Sequence, residues 1–260
     1  MSGAGTLDRV LRRDRVVASL ALAVVALLAW AYLVLMAGMP MDMAAMAAPA
    51  PAAWSAGHAA MMLLMWALMM LAMMLPSAAP MILLYGMLTR RQHPGDGSVG
   101  GRVLLFAAGY VAVWSGFAVA ATALQWALER AMLLSPAMAT GSAALASALF
   151  VAAGAYQFTP LKQACLRRCR SPLEFLAGHW RSGAAGAWAM GLRHGAFCVG
   201  CCWVIMGLLF VGGVMNLAWI AALALLVLAE KILPGGRLLG HAMGAGLIAW
   251  GALGMLTAFV

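Results

Sequence analysis

Charge is what this chain has least of. Only 9% of its 260 residues are charged, against 66% hydrophobic, where a soluble domain of this length carries about 25% charged residues. So few charges cannot cover a water-facing surface, which excludes an ordinary soluble domain. The sequence also lacks a phosphate-binding loop, a nucleophile elbow, paired catalytic carboxylates and an HExxH pair, so it offers no enzyme chemistry. It has no convincing internal repeat and no second domain. The formal charge is +9, yet the basic residues form no stripe interleaved with aromatics, which argues against nucleic acid. Five cysteines is an odd number, held in two tight groups. That is a poor basis for a disulfide framework and a better one for free thiols facing a reducing compartment.

What the chain has is hydrophobic runs. A membrane span needs about 20 apolar residues, and the sequence offers about seven, at roughly 16–37, 59–88, 103–128, 137–158, 196–214, 217–233 and 238–259. The first follows a basic head with Arg9, Arg12, Arg13 and Arg15. It is longer than the roughly 7–15 residues of a signal-peptide core, so it reads as a retained helix. The second is expected to break at Pro76 and Pro80, freeing carbonyls near Ala72 and Pro76. With the N-terminus inside, the inner connectors hold four, three, six and two basic residues, and Arg130 alone lies outside. This bias predicts an all-α polytopic bundle, N-terminus inside and C-terminus outside, in a bacterial cytoplasmic membrane. Its first partner is the lipid bilayer. The last run carries Gly240, Gly244, Gly246, Gly251 and Gly254, a face for close helix packing.

Three constellations could carry chemistry. The first is His194-Gly-Ala-Phe-Cys198-Val-Gly-Cys201-Cys202-Trp203, placed at the cytoplasmic end of the fifth span. At about 100° per residue, Cys198, Cys201 and Cys202 fall about +40°, −20° and +80° from His194. An imidazole and two or three thiols then share one face, a set that suits copper(I), with zinc as the second choice. The plain alternative is that cysteine is a small buried hydrophobe. The second is Cys165-Leu-Arg-Arg-Cys169 in the long basic loop, where Lys162, Arg167, Arg168 and Arg170 would favour thiolates. These cations also serve as topogenic charges. The third is methionine. Met62, Met65, Met69 and Met73 lie within about 80° of arc on the second span. Met39, Met41, Met43 and Met46 precede that span in an outer loop, followed by His58. Thioethers select copper(I), but methionine also fills cores. Glu230-Lys231 closes the sixth span, where mutual pairing or snorkelling accounts for it.

Several segments have a familiar look together: Trp66-Ala-Leu-Met-Met70 with Met74-Leu-Pro-Ser-Ala-Ala-Pro-Met81; Tyr156-Gln-Phe-Thr-Pro-Leu-Lys162 running into Cys165, Cys169 and Pro172; Gly195 to Trp203; and Glu230-Lys231. The chain resembles the bacterial family of uncharacterised, predicted metal-binding integral membrane proteins. That resemblance covers most of the chain and implies metal binding. The expected function is therefore soft-metal handling without catalysis, by transport or by delivery to a metallochaperone or cuproenzyme partner. The site is expected to hold His194, Cys198 and Cys201, with a fourth soft group from Cys165/Cys169 or the second-span methionines, and Cys202 beside them. Cys202 should matter least. Two rivals stand beside it: a membrane thiol–disulfide redox protein, and a structural subunit of a membrane complex.

Overall fold

The computed structural model describes residues 2–38, 54–135 and 138–258. Every named element among them is a helix; the one bridge joins Leu134 to Thr140. In chain order they are α1 (Ser2–Ala37), α2 (Ala56–Gln92), α3 (Val99–Arg130), α4 (Ala143–Tyr156), α5 (Pro160–Arg170), α6 (Pro172–His179), α7 (Gly183–Gly207), α8 (Leu209–Gly212), α9 (Leu217–Ile232) and α10 (Gly236–Ala258). Five are long and apolar enough to cross a membrane, the fourth of these being α7 with α8; counting α4 and α5 as one span bent by 64° makes six. The sixth expected span, 217–233, corresponds to α9. Its 16 residues reach about 24 Å at 1.5 Å per residue, short of a hydrocarbon core of about 30 Å.

Local chemistry sets the boundaries. Ser55, Ser142 and Asn216 accept hydrogen bonds from the backbone amides of His58, Leu145 and Trp219, and so start α2, α4 and α9. The segment expected to be a polar loop, 159–193, is helical instead. Thr159 caps α5 by accepting from the Lys162 amide, and Pro160 and Pro172 stand at first-turn positions, where a missing N–H costs nothing. The α2–α3 turn is pinned by Asp96. Its carboxylate takes the Ser98 amide and Arg102, and the Ser98 bonds hold it below the usual carboxylate range.

The expected break in α2 does not interrupt the helix: it runs unbroken through Pro76 and Pro80. Pro76 has no N–H for the Ala72 carbonyl, and the Trp30 indole on α1 donates to that oxygen at 3.2 Å. The break is thus confined to hydrogen bonding, and a neighbouring helix supplies the lost donor.

Contacts between the helices also give their directions. Asp14 pairs with Arg90, and Trp30 meets Ala72, so α1 and α2 are antiparallel. Tyr110 meets Met74 and Gln125 meets Trp66, so α2 and α3 are antiparallel. α3 and α7 are parallel and cross closely: a Cβ on Gly109 would sit 2.5 Å from the Trp188 carbonyl oxygen, and one on Gly191 would collide with that of Phe106. α4 and α10 are antiparallel. Gly154 lies on Gly244 and Gly251 on Ser147, so the glycine face of the last helix packs on α4. Gly246 alone of its five glycines would meet open space.

Candidate metal-handling site

α7 presents His194, Cys198, Cys201 and Cys202 on one face, each 3% exposed or less. The motif sits in the middle of α7, a correction to its expected place at the end of a span: the helix begins at Gly183, well before the residues expected to start it. α5 folds against this face. A Cβ on Gly200 would lie 2.7 Å from the Cys165 sulfur, and the Tyr156 hydroxyl donates to the Gly200 carbonyl. The Cys169 thiol lies near Cys198 and Cys201. The basic-loop cysteines therefore lie on a helix against α7, with Cys169 toward the α7 thiols.

Cys198 is the hub. Its sulfur lies 2.9 Å from Lys231 Nζ on α9 and 3.1 Å from the Tyr110 hydroxyl on α3. Lys231 also donates to Ser77 Oγ on α2 at 2.9 Å, and Tyr110 to the Met74 carbonyl at 3.1 Å. Four helices thus meet at one thiol. Cys201 and Cys202 both donate to the Cys198 carbonyl at 3.0 Å. Cys202 is as buried and as close to the hub as Cys201, whereas helical register alone made it the outlier. With these thiols turned onto a backbone oxygen, no three His, Cys, Asp or Glu side chains among the described residues are posed around one metal position. His194 stacks on Tyr110 at 5.4 Å and meets Phe175 edge-on at 5.5 Å between ring centres. Its Nδ1 is buried without a hydrogen-bond partner, which leaves one imidazole nitrogen unassigned beside the thiols.

Glu230 and Lys231 neither pair with each other nor reach water, as the sequence reading had them doing. Glu230 is 1% exposed and pairs with Lys162 at 2.8 Å; Lys162 is itself fully buried and also donates to Gln157. A cation expected to be topogenic is thus an internal partner. Arg170 donates to the carbonyls of Glu230, Leu233 and Pro234, closing the end of α9. Lys231 is left with no carboxylate partner among the described residues. Sequence reasoning missed Tyr110 and Ser77 entirely. It saw Lys231 but not its partner.

The methionines divide. Met62, Met65, Met69 and Met73 are all buried on α2. Ser77 marks the thiol level, and at 1.5 Å per residue Met73 lies about 6 Å and Met62 about 22 Å from it along the helix. One ion cannot be held by both ends of that stripe. Met39, Met41, Met43 and Met46 lie outside the described residues; His58 packs edge-on against Trp54.

No curated protein and no solved structure matches the chain. The family model PpoB2, described as copper chaperone, matches residues 63–254.

Proposed function

The chain belongs to the copper chaperone family, and from that premise we propose that it is a membrane-embedded carrier of copper(I). Cys198, Cys201 and Cys169 would hold the ion, with Cys202, Cys165 and His194 alongside. Five or six helices of spanning length support the membrane setting, and the basic bias supports a bacterial cytoplasmic membrane. Copper is cargo here, taken up and handed to a metallochaperone or cuproenzyme partner, and holding it requires no catalytic residue.

The observation that carries this reading is the ammonium of Lys231 on the Cys198 sulfur. A buried cation needs a counter-charge, and among the described residues Lys231 has no carboxylate, only the thiols and the Tyr110 phenol beside them, to supply one. With two of these three cysteines bound as thiolates and the third as a neutral thiol, copper(I) has a net charge of −1. Lys231 cancels it, and Lys162–Glu230 is already neutral. Soft thiolates choose copper(I) or zinc over hard cations, and membership of the family favours copper.

The test is anaerobic metal analysis of the purified, reduced protein against Cys198→Ser/Cys201→Ser. The wild type should hold copper(I), and the variant should hold one ion fewer per chain. A reduced wild type that takes up no copper(I) overturns the reading. The nearness of Cys169 to Cys198 also suits thiol–disulfide exchange. A Cys169–Cys198 disulfide that forms under mild oxidation even with copper(I) bound would favour that rival.

A further inference from the structure

Far from the thiols, Gln125 on α3 is fully buried. Its amide is fixed, because Oε1 accepts the Trp66 indole at 2.7 Å. Nε2 then faces Glu129 Oε1 at 2.8 Å, Met138 Sδ at 3.2 Å and Met62 Sδ at 3.4 Å. An amide nitrogen has two protons and here meets three acceptors, none of which can donate in return. Two thioethers are poor acceptors for a buried amide. Together with a carboxylate they are a good donor set for a soft cation.

The surroundings are built for this arrangement. The second oxygen of Glu129 is held by the Trp54 indole at 2.7 Å. Met138 reaches the point from a left-handed backbone, φ 53°, a strained conformation for a non-glycine residue and one concentrated at ligand clamps. Its loop is tied down by the Leu134–Thr140 bridge and by the Thr140 amide on the Phe210 carbonyl at 2.7 Å.

We propose that Met62, Met138 and Glu129 form a second copper(I) site, with the Gln125 amide standing where the ion binds and giving way to it. Glu129 cancels the charge of the ion. The proposal takes its ion from the copper-carrier reading but not its ligands. The site lies about 22 Å along α2 from Ser77, and the buried Met65, Met69 and Met73 occupy the interval.

The probe is silver(I), a redox-inert stand-in for copper(I), added to the full chain in detergent with 13C-methyl methionine. The Met62 and Met138 methyl resonances, assigned with Met62→Leu and Met138→Leu, should move on silver addition. They should move equally in Cys198→Ser/Cys201→Ser. Met62→Leu/Met138→Leu should bind one ion fewer than wild type and keep the thiol-bound one. Should that variant not fold, Glu129→Gln serves in its place. Its affinity at this site should fall by at least the roughly tenfold that losing a supporting partner costs a metal. Unmoved methyls while the thiols take up silver overturn this site alone. Moved methyls with unchanged uptake in the cysteine variant overturn the thiol reading alone. No uptake at either place overturns both.

Discussion

At the scale of single residues, charge balance separates what the sequence shows from what it hides. Histidine and cysteine on one helical face are visible in the spacing of His194, Cys198 and Cys201, because 3.6-residue periodicity needs no tertiary information. The partner of Lys231 is not visible. A basic residue at the end of an apolar run looks the same whether it snorkels to water or turns inward onto a thiol on another helix. The consequence is measurable. A unit charge about 4 Å away at an effective dielectric near 20 is worth about 4 kcal/mol. Lys231→Met should therefore weaken copper(I) retention against a competing chelator at least tenfold, and Lys231→Arg should recover part of it. Equal retention in Lys231→Met would leave the ammonium with no part in holding the ion. Lys162 gives a contrasting case. Lys162→Met strands Glu230 in the core, a loss of about 3–5 kcal/mol for a broken buried pair. Lys162→Met/Glu230→Met should regain most of that in thermal unfolding without copper. Failure of the double variant to recover would mean that the pair is needed for more than its own neutrality.

At the scale of elements, hydropathy finds the long helices and misjudges the short ones. α2 and α3 announce themselves by length. α5 and α6 look like a loop in the sequence, because six basic residues interrupt the apolar pattern of 159–193, while the helix-forming information sits in Thr159, Pro160 and Pro172. α2 illustrates the opposite case, where a local breaker is overruled by a neighbour. The Trp30 indole replaces the donor that Pro76 lacks, a bond worth about 1 kcal/mol net. Trp30→Phe should therefore lower stability by about that amount. In a Pro76→Ala background the new amide satisfies the Ala72 carbonyl, and the same change should cost measurably less. Additive losses in this double-mutant cycle would mean that the indole acts by packing alone.

At the scale of the whole molecule, the composition is that of an all-α bundle whose helices are long and apolar enough to cross a membrane, whereas the number of crossings depends on packing that no hydropathy window contains. The contacts nevertheless constrain where the chain ends. α1 starts beside the close of α2, through Asp14 and Arg90. The loop that opens α4 touches Phe210 near the close of α7, and α9 starts there too, through Trp219 on Leu208. α9 runs back only as far as Lys231, at the level of Cys198. α10, antiparallel to α4, then returns toward the end where α4 began. If α9 and α10 each cross, there are seven crossings; if they form a hairpin that enters and leaves on one side, there are five. Both odd counts place Gly236–Ala258 with its far end opposite the basic head of α1, and only a count of six would not. If the basic bias sets the orientation, with Arg12, Arg13 and Arg15 inside, a reporter fused after Val260 should be active in the periplasm and one fused after Arg91 in the cytoplasm. A cytoplasmic Val260 fusion would require α9 to remain outside the bilayer while α10 crosses it. That would bring Lys231, and the Cys198 thiol it touches, to the membrane surface. The copper site would then open directly to one compartment instead of lying between two.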